Sequence, residues 1–489
     1  MAKSEYITSP LNTKGMPPGV PYIIGNEAAE RFSYYGMNSI LTIFMTKYLT
    51  DKMGHMSTMQ PANAEAWYHT FVSTLYFLPL LGAVLADAVF GKFKVVMALS
   101  IVYCGGHAAL ALIGSPMAHM IEPRYILAIG LLLIALGAGG IKPCVSTNVG
   151  DQFGESNKHL LTRVFNWFYF AINFGSAFST LLIPWLLEPY KASPWLSAHA
   201  SPSIVSFLES PRLHSPDIAF GFPGVLMAIA TIVFWLGRKK FVHIPPTGLR
   251  NYAREIFNRQ TLKILGNLLI PVPFVMMFWA LWQQNFSSWI VQAESMDRHF
   301  LGNEWLSSQI QTVNPIFILI MLPLFSYFVY PLVGRVVTLT PLRRIGAGLF
   351  VTAGAFFIVA MIQTRLDGGL KPNIIWQVWA FVVLTAGEIL VSPTHLEFSY
   401  TQAPVKLKSL VMCTYTIAIS LGNVFTAVVN FVIQNPDGSV KLQGTSYFMF
   451  FVWVMLGTGV LFAIVTPFYK GRTYLQDQPD AILAAQPEV

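Results

Sequence analysis

Apolar stretches of about 20 residues, each long enough to cross a bilayer as a helix, recur along the whole chain with short polar turns between them. Twelve are expected, at about Pro21–Leu49, Trp67–Ala86, Val95–Ile113, Tyr125–Val145, Val164–Leu187, Ala219–Leu236, Ile264–Ile290, Asn314–Leu332, Ile345–Ile362, Ile375–Leu396, Leu410–Ile433 and Tyr447–Phe468. The fold class predicted is therefore an all-α membrane protein with twelve transmembrane helices. With 489 residues, 54% hydrophobic and 11% charged, the chain is too apolar for a soluble enzyme, whose charged fraction is about 25%. Residues 1–19 are polar and carry Pro17 and Pro18, so no cleavable signal is expected and the first apolar run should remain as a span.

Charge orients the spans. The net charge of +8 comes from bases scattered over short connections, a pattern that fits membrane orientation better than nucleic acid. The turns around Lys92, Lys158, Arg238 to Arg259, Arg335 to Arg344 and Lys406 hold an excess of Lys and Arg over the opposite side. Both termini are thus expected in the cytoplasm, with the chain multi-pass in a plasma or inner membrane. Cys104, Cys144 and Cys413 lie in apolar segments or at their ends and suggest no disulfide framework. The most polar connection on the cytoplasmic side, about 238–262, divides the chain into domains 1–237 and 263–489. Two six-helix halves are the plan of the major facilitator fold, in which the halves enclose a site at the midplane. The run Gly82 to Lys94, with Asp87, Gly91 and Lys92, looks like that superfamily's signature loop, and Gly334-Arg335 with Arg343 and Arg344 is a fainter echo.

The candidate chemistry lies in charged groups at membrane depth. One charge at the bilayer centre costs about 2.5–3.5 kcal/mol, so Glu27, Glu30 and Arg31 in the first span must face one another or water. Glu27 and Arg31 stand in the favourable i, i+4 order, and Tyr34 and Tyr35 extend their stripe. A salt-bridged helix end near the interface would need only one carboxylate. Lys142 follows Gly137-Ala-Gly-Gly-Ile and precedes Pro143, where small residues permit close helix approach. Glu388 and Ser392 are one turn apart, Asn173 lies in Phe168-Tyr-Phe-Ala-Ile-Asn-Phe-Gly-Ser176, and His69 opens a run with Tyr76 two turns on. Lys142 and Glu388 can change protonation as a partner or ligand arrives, whereas Asn173 reads equally well as an interhelical hydrogen bond.

Taken together, Glu27-x-x-Glu30-Arg31-Phe-x-Tyr34-Tyr35-Gly, Gly140-Ile-Lys142-Pro-Cys, Gly150-Asp-Gln-Phe, Phe168-Tyr-x-x-Ile-Asn173-x-Gly-Ser, Phe278-Trp-Ala-Leu, Asn314-Pro and Gly387-Glu-x-x-x-Ser392-Pro resemble the proton-dependent oligopeptide transporter family. The match covers nearly the whole chain. Tyr68-His69-Thr-Phe and the run Glu397 to Pro404 resemble its animal branch. The resemblance implies that Glu27, Glu30 and Arg31, with Lys142, couple proton movement to transport. It implies that Arg31 and Lys142 face the peptide carboxylate and that Glu388 holds the free amine. Asn173 and Asn314 would bond the peptide backbone, and Tyr34, Tyr35, Tyr76, Trp279 and Ser392 would belong to the pocket. Cations in one half and an anion in the other suit a zwitterion, whereas nitrate offers Glu388 nothing to bind.

Three departures from the family pattern stand out. Asn38 and Gln283 occupy the positions of an arginine and an acid that close the outer gate of many members as an ion pair. A neutral amide pair can close such a gate, but no acid is there to protonate. His69 then either carries the extracellular proton step alone or only donates a hydrogen bond. Tyr415 replaces a usual pocket tryptophan, and the 238–262 linker is too short for the two extra helices of many bacterial members.

The expectation is a proton-coupled symporter of di- and tripeptides working by alternating access, without metal or cofactor, with the proton as coupling ion. Its partners are peptides and the lipid bilayer but no nucleic acid, and it should function as a monomer. Rival readings are a same-family transporter of nitrate or a small organic anion, and a membrane sensor that binds peptides without moving them. No His-Glu-x-x-His or Gly-x-Ser-x-Gly pattern occurs, so an enzyme is not expected.

Overall fold

Inside a bilayer a lone segment must satisfy its own backbone groups, and the helix is the way it does so. The computed structural model describes residues 6–113, 115, 120–190, 194–300, 302–402, 408–437 and 439–469. Pro404 and Lys406 lie outside these residues, as do the first five and those from 470 onward. Among the described residues ten helices are long and apolar enough to cross a membrane, and a pair bent by 48° makes an eleventh when counted as one span. Helix α1 (Val20–Ile43) adds a further 24 residues and carries Glu27, Glu30 and Arg31. The others are α2 (Pro61–Phe90), α3 (Lys92–Leu112), α4 (Pro123–Asp151), α5 (Arg163–Leu187), α6 (Pro216–Lys239), α7 (Thr261–Leu269 with Val272–Glu294), α8 (Ser307–Val333), α9 (Pro341–Asp367), α10 (Ile375–Ser399), α11 (Cys413–Val432) and α12 (Thr445–Phe468).

Several boundaries differ from the expected ones, each for a local reason. The first run was expected to Leu49, but regular helix ends at Ile43 and a wider π turn, Phe44–Tyr48, follows. The second starts at Pro61, six residues before Trp67, and so takes Glu65 into the helix. It breaks at Leu78, before Pro79. The fourth runs past Val145 to Asp151 despite Pro143, and the Thr147 hydroxyl donates to the Pro143 carbonyl at 2.7 Å. The seventh bends where Ile270 and Pro271 interrupt it, because proline has no amide to donate. Outside the helices, strands β1 (His299–Phe300) and β2 (Asn303–Glu304) pair antiparallel.

The chain divides into two compact units. One holds Met1–Ala64, Leu78–Leu249 and His299–Thr312; the other holds Glu65–Phe77, Arg250–Arg298 and Val313–Val489. The expected cut into 1–237 and 263–489 differs from these units by two exchanged segments. Local bonds account for both. Glu65–Phe77 carries His69, bonded to Asn423 and Ser287, and the Gln309 amide donates to the Leu181 carbonyl at 3.0 Å.

Within each unit, glycines bring backbones together. A Cβ on Gly82 of α2 would overlap the Gly140 carbonyl of α4, and one on Gly422 of α11 would overlap the Met276 carbonyl of α7. In the signature loop Gly91 has φ +83°, a conformation open to glycine, and it turns the chain into α3. Lys92 Nζ then pairs with Asp151 Oδ2 at 2.6 Å, clamping the start of α3 to the end of α4. The Asp87 carbonyl accepts from the Thr247 amide at 2.9 Å. At the echo, Arg344 lies 3.8 Å from Glu397 and over the Tyr330 ring at 4.9 Å.

Candidate functional site

Helix α1 places the first cluster. Arg31 Nε lies 2.6 Å from Glu27 Oε1 and 3.2 Å from Glu30 Oε2, so one guanidinium serves both carboxylates. The two acids are 2% and 1% exposed. Side chains at i and i+4 meet on one helical face, which is why Glu27 takes the shorter contact. Lys142 of α4 sits with Nζ 4.4 Å from the centre of the Tyr34 ring, and it interacts electrostatically with Glu30. Tyr34 and Tyr35 meet edge to face, centroids 5.2 Å apart. The sequence-predicted residues Glu27, Glu30, Arg31, Tyr34, Tyr35 and Lys142 thus lie in one unit.

Asn173 and Gly175 bring α5 alongside. A Cβ on Gly175 would stand 2.9 Å from the Ala28 carbonyl, so α5 passes close to α1 at the charged motif. The Asn173 amide donates to the Tyr169 carbonyl of its own helix at 2.9 Å, which engages a group expected to meet a peptide. Sequence reasoning missed two polar neighbours here. Asn26, directly before Glu27, is fully buried with neither amide atom hydrogen bonded among the described residues. Tyr103 of α3, likewise without a hydroxyl partner among them, lies within electrostatic reach of Glu30 and Arg31. Its only sequence signal was a polar tip in an apolar helix.

The second unit builds its cluster around Glu388 of α10. Glu388 Oε2 accepts from Trp282 Nε1 at 2.8 Å and from Asn314 Nδ2 at 2.8 Å, and Asn314 Nδ2 also reaches Thr385 Oγ1 at 3.1 Å. The two donors come from α7 and α8. One turn on, Ser392 Oγ lies 2.8 Å from the Tyr415 hydroxyl. The Trp279 ring stands edge-on to Tyr415 at 5.6 Å and to Trp282 at 5.3 Å. Glu388 and Asn314 are thus hydrogen bonded, and Ser392 and Trp279 both meet Tyr415. Trp282 was not foreseen, because an indole in an apolar helix reads as packing.

The half-buried Tyr76 and the buried His69 lie on the α2 segment of the same unit. His69 Nδ1 is 2.7 Å from Asn423 Oδ1 and Nε2 is 3.0 Å from Ser287 Oγ. The Asn423 amide nitrogen donates to the Ile419 carbonyl at 2.8 Å, which leaves Oδ1 as the atom facing the ring. Nδ1 must then carry a hydrogen, and Nε2 accepts from the Ser287 hydroxyl. A second proton on the ring needs only that hydroxyl to rotate and accept, so both roles weighed for His69 fit the geometry. Gln283 Oε1 accepts from the Tyr68 hydroxyl at 3.3 Å, and Asn38 is buried in α1 of the first unit. Among the described residues no cluster of three His, Cys, Asp or Glu could hold a metal ion.

The family profile described as the POT family matches residues 93–258 and 250–448. Solute carrier family 15 member 2 of Mus musculus is 33% identical over 431 residues, 76% of this chain and 55% of the relative. Peptide transporter family 1 of Drosophila melanogaster is 34% identical over 386 residues, 72% of this chain and 48% of the relative. The chain thus spans about half the length of these curated relatives. The crystal structure of the POT family transporter PepTSo superposes with a TM-score of 0.78 at 31% identity, covering 93% of this chain and 99% of that one.

Proposed function

The chain belongs to the POT family, and we propose on that premise that it is a proton-coupled symporter of di- and tripeptides working by alternating access. The observation that carries this reading is a charged pole in each unit, two cations set among two acids in the first and a lone acid in the second. Arg31 and Lys142 gather with the α1 carboxylates, and Glu388 is oriented by the Trp282 and Asn314 donors. A short peptide has a carboxylate for the first pole and an ammonium group for the second, and a charge-assisted hydrogen bond is about twice as strong as a neutral one. Tyr34, Tyr35, Tyr76, Asn173, Trp279 and Ser392 complete the assigned binding residues. Nitrate or a small organic anion would use only the first pole.

Coupling is assigned to Glu27, Glu30 and Arg31 with Lys142, since proton gain by a carboxylate frees Arg31 for the substrate carboxylate. Inward proton flow supplies about 2.3 kcal/mol per charge per 100 mV. Asn38 and Gln283 are assigned to the outer gate, with His69 nearby. The division into 1–237 and 263–489 about the 238–262 linker, cytoplasmic termini, residence in a plasma or inner membrane and function as a monomer belong to the same reading. So does the absence of any cofactor beyond the proton.

Proton-driven uptake of a dipeptide panel in proteoliposomes tests the proposal. Accumulation that collapses with the proton gradient is the expected result. Competition of a dipeptide against nitrate separates the anion reading. A sensor would bind peptide yet show no counterflow.

A further inference from the structure

Helix α2 carries a polar stripe of Glu65, His69 and Ser73, spaced at four residues and so on one face. Every member meets a polar group of the second unit. Glu65 Oε2 accepts from the Tyr447 hydroxyl at 3.1 Å, His69 bridges Asn423 and Ser287, and Ser73 Oγ lies 3.2 Å from Ser420 Oγ. Asn430 Nδ2 donates to the Tyr447 oxygen at 3.1 Å. The phenol's one proton therefore points at Glu65.

No residue assigned above explains this carboxyl. Glu65 is 5% exposed and forms no ion pair among the described residues. The titratable groups on the elements around it have other partners. On its own helix His69 is bonded as described; on α7 Glu294 pairs with Arg298 at 3.3 Å. Asp367 accepts from the Thr445 amide and hydroxyl at 2.8 Å each, and Lys441 Nζ donates to the Val432 carbonyl at 3.2 Å. A carboxylate enclosed with one neutral donor keeps an uncompensated charge, which is costly away from water. A proton removes that charge and leaves the other carboxyl oxygen to accept from Tyr447, so the chain through Asn430 stays intact.

We propose that Glu65 is a proton-binding residue of the transport cycle. Its carboxylate takes a proton from external water as α2 packs against Tyr447 and returns it to water when that packing is released, one helical turn from His69. The assignment rests on the transport reading above.

Two readouts on the full chain in proteoliposomes decide it: peptide counterflow at one pH, and proton-driven uptake against external pH. Glu65→Gln keeps an acceptor for Tyr447 but cannot ionise. It is expected to retain measurable counterflow and to shift the external-pH midpoint of uptake by about one unit, whereas Glu65→Asp restores the native profile. Tyr447→Phe removes the donor that favours the ionised form and should move the midpoint to higher pH. A Glu65→Gln profile that superimposes on the native one overturns the assignment. Should Glu65→Gln abolish counterflow, an unmoved midpoint in Tyr447→Phe overturns it and a shift supports it. Absence of counterflow in the native protein overturns the transport reading, and this proposal with it.

Discussion

Trp282 Nε1 donates to Glu388 Oε2 at 2.8 Å across 106 residues of sequence, and with Asn314 it aims one carboxylate oxygen from two helices. If that carboxylate receives the substrate amine, Glu388→Gln removes a charge-assisted bond of about 1.5–3 kcal/mol. The half-saturating concentration of free dipeptides should then rise about tenfold or more, and that of N-acetylated dipeptides by less than about threefold. Trp282→Phe should weaken free dipeptides in the same sense but less, because Asn314 still holds the carboxylate. Equal losses for free and N-acetylated peptides would remove Glu388 from the amine site.

Arg31 is shared between Glu27 and Glu30, which separates binding from coupling. Glu30→Gln should abolish concentrative, proton-driven uptake while counterflow stays measurable, since exchange needs the loaded carrier to reorient but no net proton release. Lys142→Ala should impair both. Concentrative uptake surviving Glu30→Gln would move the coupling group elsewhere.

For His69, Gln is the informative replacement because it can still bond Asn423 and Ser287 but cannot take up a proton. His69→Gln is expected to flatten the external-pH dependence of uptake. A native pH profile in this variant, together with impaired uptake in Asn423→Ala, would leave His69 with a hydrogen-bonding role alone.

Close backbone approach at Gly422 predicts a purely structural effect. A side chain there meets the Met276 carbonyl and the Ala280 amide, so Gly422→Val must push α11 from α7, an overpacking that costs about 1–3 kcal/mol or more. The melting temperature of the detergent-purified variant should fall by several degrees. Gly457→Val on α12, where an added Cβ would meet nothing within 4 Å beyond its own stretch of helix, should melt close to the native protein.

The charged motif of α1 was legible because its partners lie within one turn. Glu27 and Arg31 are four residues apart, and helix geometry alone brings them to one face. Lys142 and Glu388 were legible for another reason: an ionisable residue in an apolar segment has few structural uses. Glu65 escaped because the expected helix began at Trp67, which left that carboxyl in a polar turn. Trp282 and Tyr103 escaped because a long apolar body conceals a single polar tip.

What the sequence determined by itself is what one helix can decide alone: the order and approximate extent of the spans, since only a helix satisfies its own backbone in lipid, and the charged residues those spans must bury. Tertiary structure decided which groups meet. It paired Glu388 with Trp282, His69 with Asn423, and Glu65 with Tyr447, and it set Glu65–Phe77 and His299–Thr312 among helices of the other half of the chain. Such pairings depend on how helices far apart in sequence pack and rotate about their axes, which small residues and hydrogen bonds at the contact select and which no local spacing encodes.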